Sequence, residues 1–297
     1  MNSVDVLKEI YKPLKVTIQG KVKVFDTMQG KYVIKEKGNA DIRKIFNYLT
    51  SRNFNYFPKI IDDTRSEVNV FEYVEEVETP KDQKAQDLIN IVALLHSKTS
   101  YYKEVSEDKY KEIYEMIKSN VDYLDQHYND LFDNFITLEF MSPSQYLFMR
   151  NFTTIKNVLT FCNNELLNWY DLVKDKKKQR VALLHNNLEL NHYIRGDSDY
   201  LISWENSMVD TPVWDIVKFY RKEFYNIEFS NLLSKYMNSY ELLEDEKKLL
   251  FILMTLPDKI EFDNDELKAV NNVRLCLDYL YKTELLVRPY YTKQEKE

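Results

Sequence analysis

Glycine is scarce in this chain, and the shortage excludes several common folds. The 297 residues include 4 glycines, where about 21 would be expected at the usual share of about 7%. No two of them are spaced for a G-x-G-x-x-G fingerprint, a P-loop or a G-x-S-x-G elbow. The sequence therefore argues against Rossmann enzymes, P-loop ATPases and α/β-hydrolases. The four stand at Gly20, Gly30, Gly38 and Gly196.

The composition predicts a folded, acidic protein. Hydrophobic residues make up 44% and aromatic residues 14% of the chain, enough for a large core. The 41 Lys and Arg against 48 Asp and Glu give a net charge of −7, which argues against a broad nucleic-acid surface. The basic run at 174–180 is interpreted as a solvated loop. We expect no nucleic-acid partner.

The cysteines, histidines and apolar runs indicate the compartment. Cys162 and Cys276 are too few for a disulfide framework, which fits a reducing environment. The 4 histidines contain no H-E-x-x-H zinc-protease pair. The first residues are charged and lack an apolar signal-peptide core, and the longest apolar run, near 249–256, is far too short to span a membrane. We expect a cytoplasmic protein with no membrane partner.

The first part of the chain predicts short strands around one helix. β-branched and aromatic runs alternate with turn residues such as Gly20 and Gly30. The first three runs are predicted to form an antiparallel meander. The predicted order is β-β-β-α-β-β, with strands at 16–18, 22–25, 32–35, 57–61 and 68–74 and a helix at 41–52.

Beyond Pro80 the pattern is helical almost throughout. The clearest helix is predicted to begin at Ser142, as the N-cap, with Pro143 at the first helical position and Gln145 at N3. Its apolar residues then recur every three or four positions. They are Ile155, Leu159, Cys162, Leu166, Trp169 and Val173. A Glu-rich linker is expected at 74–84, and a small hairpin at 181–205 interrupts the helices.

This layout, and the residues of 181–221, resemble a known family. The segment is similar to the region of aminoglycoside phosphotransferases and choline kinases that contains H-x-D-x-x-x-x-N, then I-D-W-E, then D-x-P-x-x-D-L. Its ending at 210–218 resembles the CotS-type spore-coat branch in particular, and His96 ends an L-x-x-L-H element at 92–96. The resemblance implies an α+β, bilobal, protein-kinase-like fold. The expected lobes are a small antiparallel β-sheet lobe at 1–79 and a larger, mainly helical lobe at 80–297.

The resemblance also implies where a nucleotide would bind. Phosphoryl transfer needs a Lys on the phosphates, a carboxylate that accepts the hydroxyl proton, and an Asn and an Asp that hold magnesium. Lys35, at the end of the third predicted strand, matches the phosphate-binding Lys. Glu72 and Val74 are the further candidates for binding ATP. The usual partner of the Lys is a Glu in the next helix, where this chain has only Asp41.

The positions that perform the chemistry in the family have changed here. The acceptor-side base falls on Asn187, whose amide takes no proton near neutral pH. The metal-binding Asn falls on His192. The metal-binding Asp falls on Ser203, whose neutral hydroxyl is a poor magnesium ligand. Magnesium binding is therefore not expected at the family's site.

The scaffolding positions match the family. His185 corresponds to the leading His of the loop, and Asp215 to the Asp that caps the loop backbone. The scaffolding residues are kept while the residues that would perform the chemistry are replaced. This combination predicts a pseudokinase that acts as a binding or scaffold module for a nucleotide or a protein partner. Its phosphate-covering turn would depend on Gly20 alone.

Two alternatives stay open at the level of sequence. One is an active small-molecule phosphotransferase that uses ATP with a relocated metal site at Glu205 and His192. The other is a helical interaction protein unrelated to kinases, which requires that residues 14–78 do not form a sheet.

Overall fold

An antiparallel sheet near the N-terminus leads into a mainly helical chain in the computed structural model, which describes residues 3–20, 22–38, 40–106 and 108–292. The α-helices are α1 (Ser3–Tyr11), α2 (Ile42–Ser51), α3 (Lys81–Thr99), α4 (Lys109–Ile136), α5 (Pro143–Val173), α6 (Val213–Glu223), α7 (Phe229–Ser239), α8 (Glu244–Thr255) and α9 (Glu266–Thr292). The strands are β1 (Lys15–Gln19), β2 (Val22–Thr27), β3 (Gly30–Glu36), β4 (Ile60–Asp62), β5 (Val68–Glu72), β6 (Tyr101–Glu104), β7 (Lys178–Leu184), β8 (Tyr193–Arg195), β9 (Asp199–Leu201) and β10 (Met208–Asp210).

The chain divides into two compact units. The first contains the chain up to Tyr101, together with Ala182–Lys218 and Ser234–Tyr240. The second contains Tyr102–Val181, Phe219–Leu233 and the chain from Glu241 onward. The predicted α+β class, a small antiparallel sheet and a larger helical part, is confirmed. The lobe boundary at 79/80 stays a prediction.

The sheet of the first unit has the strand order β1-β2-β3-β5-β4, with antiparallel pairs throughout. The predicted meander and the β-β-β-α-β-β order of this region are confirmed. Gly20 and Gly30 have φ of +59° and +129° in the turns that flank β2. Only glycine adopts such turn conformations readily, which explains why two of the four glycines stand here.

Helix α1 covers one face of the sheet, and sequence analysis did not predict it. Val4 and Leu7 are buried against Phe25, Ile34 and Val70. Two buried apolar positions in a nine-residue helix are too few for a recognisable period, and the helix depends on tertiary packing.

Helix α2 lies where it was predicted. The Asp41 side chain accepts a hydrogen bond from the backbone N–H of Lys44 at 3.1 Å and so caps the first turn. Ile42, Phe46 and Leu49 are buried along one face. Asp41 is therefore the N-cap of α2, and its carboxylate is hydrogen-bonded to the helix backbone.

The second unit is organised around α5, which packs against α4, α8 and α9. The predicted capping box is confirmed, since the backbone N–H of Ser142 donates to Gln145 Oε1 at 2.9 Å and the Ser142 hydroxyl accepts from the Gln145 N–H. All six residues of the predicted stripe, from Ile155 to Val173, are buried. None of the helices in the described ranges is long and apolar enough to cross a membrane.

We predict that Leu159→Ala lowers the free energy of unfolding by about 2–5 kcal/mol, because it leaves a cavity in the core of the second unit. Leu159 is 1% exposed. Leu167, on the same helix, is 46% exposed, so Leu167→Ala is the matched control and should change stability by less than about 0.5 kcal/mol. Urea denaturation measures both. Equal losses in the two variants would contradict the burial of the α5 stripe.

Candidate functional site

A largely apolar cavity in the first unit is lined by one face of the sheet, α2 and the β8–β9 hairpin. Val24, Val33 and Phe71 line it from the sheet, and Ile194 and Ile202 line it from the hairpin. Strand pairing explains this face, because Val24 and Val33 are directly opposed on β2 and β3. Concave apolar sites with a few polar groups are typical of small-molecule binding.

The polar end of the cavity is formed by Lys35, Ser203 and Glu205. Lys35 Nζ lies 2.7 Å from Glu205 Oε1 and donates a hydrogen bond to Ser203 Oγ at 3.1 Å. The Lys35 and Glu205 side chains are 22% and 21% exposed. An ion pair that is mostly removed from water is screened less than a surface pair, so removing one partner leaves a poorly solvated charge.

The segment 203–205 is held in a strained conformation. Ser203 has φ 70° and ψ 51°, a left-handed conformation that costs a non-glycine residue about 1–2 kcal/mol. The adjacent Trp204 is buried, and its indole N–H donates to the carbonyl of Leu201 at 2.8 Å. Its ring packs edge-on against Phe46 and Phe54. This packing fixes the segment and offsets the strain at Ser203.

A buried carboxylate organises the loop that follows β7. Asp215, at the start of α6, accepts hydrogen bonds from the backbone N–H groups of His185 at 2.9 Å and Asn186 at 2.6 Å. His96 Nε2 lies 3.1 Å from the same carboxylate, and His96 Nδ1 lies 2.7 Å from the Tyr236 hydroxyl. Since a carboxylate only accepts, His96 donates through Nε2, and the Nδ1 of a neutral imidazole then accepts a hydrogen bond from the Tyr236 hydroxyl. The loop backbone is thereby tied to α3, α6 and α7.

His185 is buried and neutral. Its Nε2 donates to the carbonyl of Ile202 at 2.8 Å, while Nδ1 is buried without a hydrogen-bond partner in the described structure. Burial lowers the pKa of His185 to about 4, although the carboxylate of Asp215 acts in the opposite direction. The ring packs edge-on against Trp204 at 4.8 Å between centroids. His185 therefore joins the loop to the segment that carries Ser203.

Asn187 and His192 contact each other within the loop. His192 Nδ1 lies 2.7 Å from the backbone carbonyl of Asn187, and His192 Nε2 lies 3.0 Å from Glu189 Oε1. Both neighbours are hydrogen-bond acceptors, so each ring nitrogen of His192 faces an acceptor within the loop. The imidazole thus stabilises the turn.

The backbone after β5 is packed against the hairpin. A Cβ at Gly196 would lie 2.9 Å from Val74 Cγ1 and 3.1 Å from the Glu75 carbonyl oxygen, so a side chain at 196 does not fit. The N–H of Val77 donates to the Arg195 carbonyl at 2.7 Å. These contacts place Val74 at one edge of the cavity.

Comparisons with known proteins identify the fold. No family model and no curated protein sequence matches the chain. Among solved structures, an aminoglycoside phosphotransferase from Alicyclobacillus acidocaldarius has a TM-score of 0.69 at 10% identity, covering 96% of this chain and 93% of that one.

Spectinomycin phosphotransferase also matches. Its AMP complex has a TM-score of 0.54 at 14% identity, covering 98% and 93% of the two chains. Its complex with ADP and spectinomycin has a TM-score of 0.52 at 12% identity, covering 95% and 97%. The chain has the kinase-like fold of these phosphotransferases. At such low identity the likeness concerns the fold and leaves the activity to be argued from the residues.

Several residues that sequence analysis singled out lie together in this kinase-like fold. Lys35, Glu72, Val74, Ser203 and Glu205 line the same cavity. Glu72 Oε1 also accepts a hydrogen bond from the backbone N–H of Lys59 at 2.8 Å. The other candidates are not among the residues that line the cavity. They are three residues of the loop after β7, His185, Asn187 and His192, and Asp215 of α6, which caps that loop.

A metal site receives no support from the described residues. Within the described ranges, no group of three or more His, Cys, Asp or Glu side chains is placed to hold a metal ion. Glu205 faces Lys35, and the ring nitrogens of His192 face Asn187 and Glu189. The relocated site at Glu205 and His192 stays a prediction.

The apolar part of the site was not predicted from the sequence. Ile194 and Ile202 line the cavity, and Trp204 anchors the polar segment. All three lie within the hairpin predicted at 181–205, but alternation along such short strands does not show which face is covered. The resemblance placed the partner of Lys35 in the following helix, whereas the structure places Glu205 beside it.

We predict that stability falls as the pH is lowered from about 6.5 toward 4, in part because of His185. With a pKa near 6.5 when unfolded and about 4 when folded, His185 binds more protons in the unfolded state over this window. Its contribution reduces the free energy of unfolding by up to about 1.4 kcal/mol per pH unit.

The variant His185→Gln keeps an N–H donor but does not titrate, so its melting temperature should fall less steeply over the same pH window. Thermal denaturation at a series of pH values measures this slope. Comparing the slopes of melting temperature against pH cancels any change in stability that the substitution causes equally at every pH. Identical slopes in the variant and the wild type would refute the assignment.

Proposed function

We propose that this chain is a nucleotide-binding pseudokinase, which uses a kinase-like pocket for binding or scaffolding without transferring phosphate. The observation that carries the proposal is the occupation of Lys35. Its ammonium group is paired with Glu205 at 2.7 Å and hydrogen-bonded to Ser203, the position that corresponds to the family's metal-binding Asp. In an active member of the family the corresponding Lys pairs with a Glu of the next helix and a metal-binding Asp stands where this chain has Ser203. Here the partner of the lysine has changed and the metal-binding carboxylate is missing.

The cavity supports retention of nucleotide binding. Its facing apolar walls, with Val24 and Val33 on one side and Ile194 and Ile202 on the other, suit a flat aromatic base. The spectinomycin phosphotransferase structures hold AMP and ADP. We extend adenine-nucleotide binding to this chain on the strength of the cavity.

The loop supports loss of the transfer chemistry. Asn187 offers an amide where phosphoryl transfer to a hydroxyl needs a carboxylate base. The ring nitrogens of His192 are engaged by the Asn187 carbonyl and Glu189. Magnesium with a triphosphate therefore does not fit the donor set around Lys35, and we derive no step that uses it.

Further parts of the proposal rest on sequence. The likeness of 210–218 to CotS-type proteins leads us to propose a spore-coat relative that works through a protein partner. The cysteine content leads us to propose a cytoplasmic location. Co-purification of a partner with the tagged protein from its own cells tests the first of these.

We predict that ADP binds in the cavity and that its affinity is the same with and without magnesium, within a factor of about two. Val22 lines the cavity, whereas Ile18 is 68% exposed and does not line it. Val22→Trp should abolish binding by filling the cavity, and Ile18→Trp on the neighbouring strand should leave it intact. Titration calorimetry measures all three proteins. If the wild type bound neither ADP nor adenosine, the proposal would be overturned.

A second test asks whether the metal site can be restored. We predict that Ser203→Asp makes ATP binding magnesium-dependent by at least about tenfold, because it adds the anionic oxygen that magnesium prefers. Ser203→Asn is the matched control, of equal size and without charge, and should show no such dependence. Strong magnesium dependence or phosphate transfer in the wild type would instead favour the active phosphotransferase with a relocated metal site.

A further inference from the structure

The charges around the cavity are unfavourable for a highly charged ligand. Three charged residues line the cavity within the described part of the chain. They are one cation, Lys35, and two carboxylates, Glu72 and Glu205; Tyr73 adds a phenol. The charges of Lys35 and Glu205 compensate each other, and the Glu72 carboxylate accepts a hydrogen bond from the backbone N–H of Lys59, so these groups supply no net positive charge to the cavity. The rest of the lining is mainly apolar and offers little compensation. Each phosphate group added to a nucleoside would bring further negative charge into this environment.

The single cation is already neutralised. Lys35 Nζ is held by Glu205 Oε1 at 2.7 Å, with both side chains about four-fifths buried. A phosphate that approached Lys35 would have to displace Glu205 or lie beside its carboxylate. Either arrangement weakens the attraction that a lysine normally offers to phosphate.

Glu205 is fixed in place by its surroundings. A Cβ at Gly38 would lie 3.2 Å from Glu205 Cβ, so the chain after β3 passes directly against the stem of Glu205. On its other side Glu205 follows Trp204, which is 2% exposed. The Glu205 carboxylate is thus held beside Lys35 at the polar end of the cavity.

We infer that the cavity binds a neutral nucleoside in preference to its phosphorylated forms. The inference rests on the proposed nucleotide binding and specifies its ligand class. The apolar walls hold the base, and Glu205 disfavours the phosphates.

Calorimetry of the wild-type protein with adenosine, AMP and ATP, each with EDTA and with magnesium, tests this order directly. Adenosine should bind at least as tightly as AMP, and AMP at least as tightly as ATP. ATP binding that is tenfold tighter than adenosine binding under either condition would overturn the inference. This ligand series does not depend on the folding of any variant.

A charge-neutralising variant then tests the cause. Glu205→Gln should raise the affinity for ATP relative to adenosine about tenfold, the change that corresponds to about 1.4 kcal/mol. Glu36→Gln is the matched control, since Glu36 is the exposed next residue of β3 and points to the other face of the sheet. An unchanged ATP-to-adenosine ratio in Glu205→Gln would overturn the role of Glu205.

The outcomes separate the two proposals. If ATP binds far more tightly than adenosine, nucleotide binding stands and the ligand preference is wrong. If neither adenosine nor any of its phosphates binds the wild type, the proposed function fails and the inference fails with it. Melting temperatures of both variants establish that they are folded.

Discussion

The carboxylate of Asp215 is the interaction on which the site's frame depends. It is fully buried and accepts hydrogen bonds from two successive backbone N–H groups, those of His185 and Asn186. The buried ring of His96 donates to it and accepts from Tyr236. Without this acceptor, buried donors on the loop and on α3 would be left unsatisfied, at a cost of about 1–3 kcal/mol each. The shape of the loop is therefore maintained whatever residue stands at 187.

The loop after β7 is held by Asp215 and His96, neither of which lines the cavity. Its conformation is therefore physically separable from the chemistry at the cavity. Lys35, Ser203 and Glu205 make their own cluster, in which a positive charge is compensated within the protein. Trp204 joins the two parts through its packing against His185 and Phe46. A kinase-like fold can thus persist for stability while the polar end of its pocket changes.

Local signals predicted the elements that depend on short-range physics. The Ser142–Gln145 capping box and the buried stripe of α5 follow from helical geometry, and the glycines flanking β2 follow from turn conformation. Helix α1 was missed because its stability comes from contact with the sheet. The lining residues Ile194 and Ile202 were missed because short strands do not reveal their buried face.

Residue patterning by itself predicted the order of strands and helix along the first region, because that order depends on periodicity and turn residues. The resemblance of its motifs to the phosphotransferases implied the α+β class and the candidate positions Lys35, Asn187, His192 and Ser203. Only the tertiary structure decided what Lys35 contacts. Its partner, Glu205, is 170 residues away in the chain and reaches it because the segment that follows the hairpin packs through Trp204 against Phe46 of α2. An ion pair between such distant residues has no local signal, since it is created by packing and by the exclusion of water around two opposite charges.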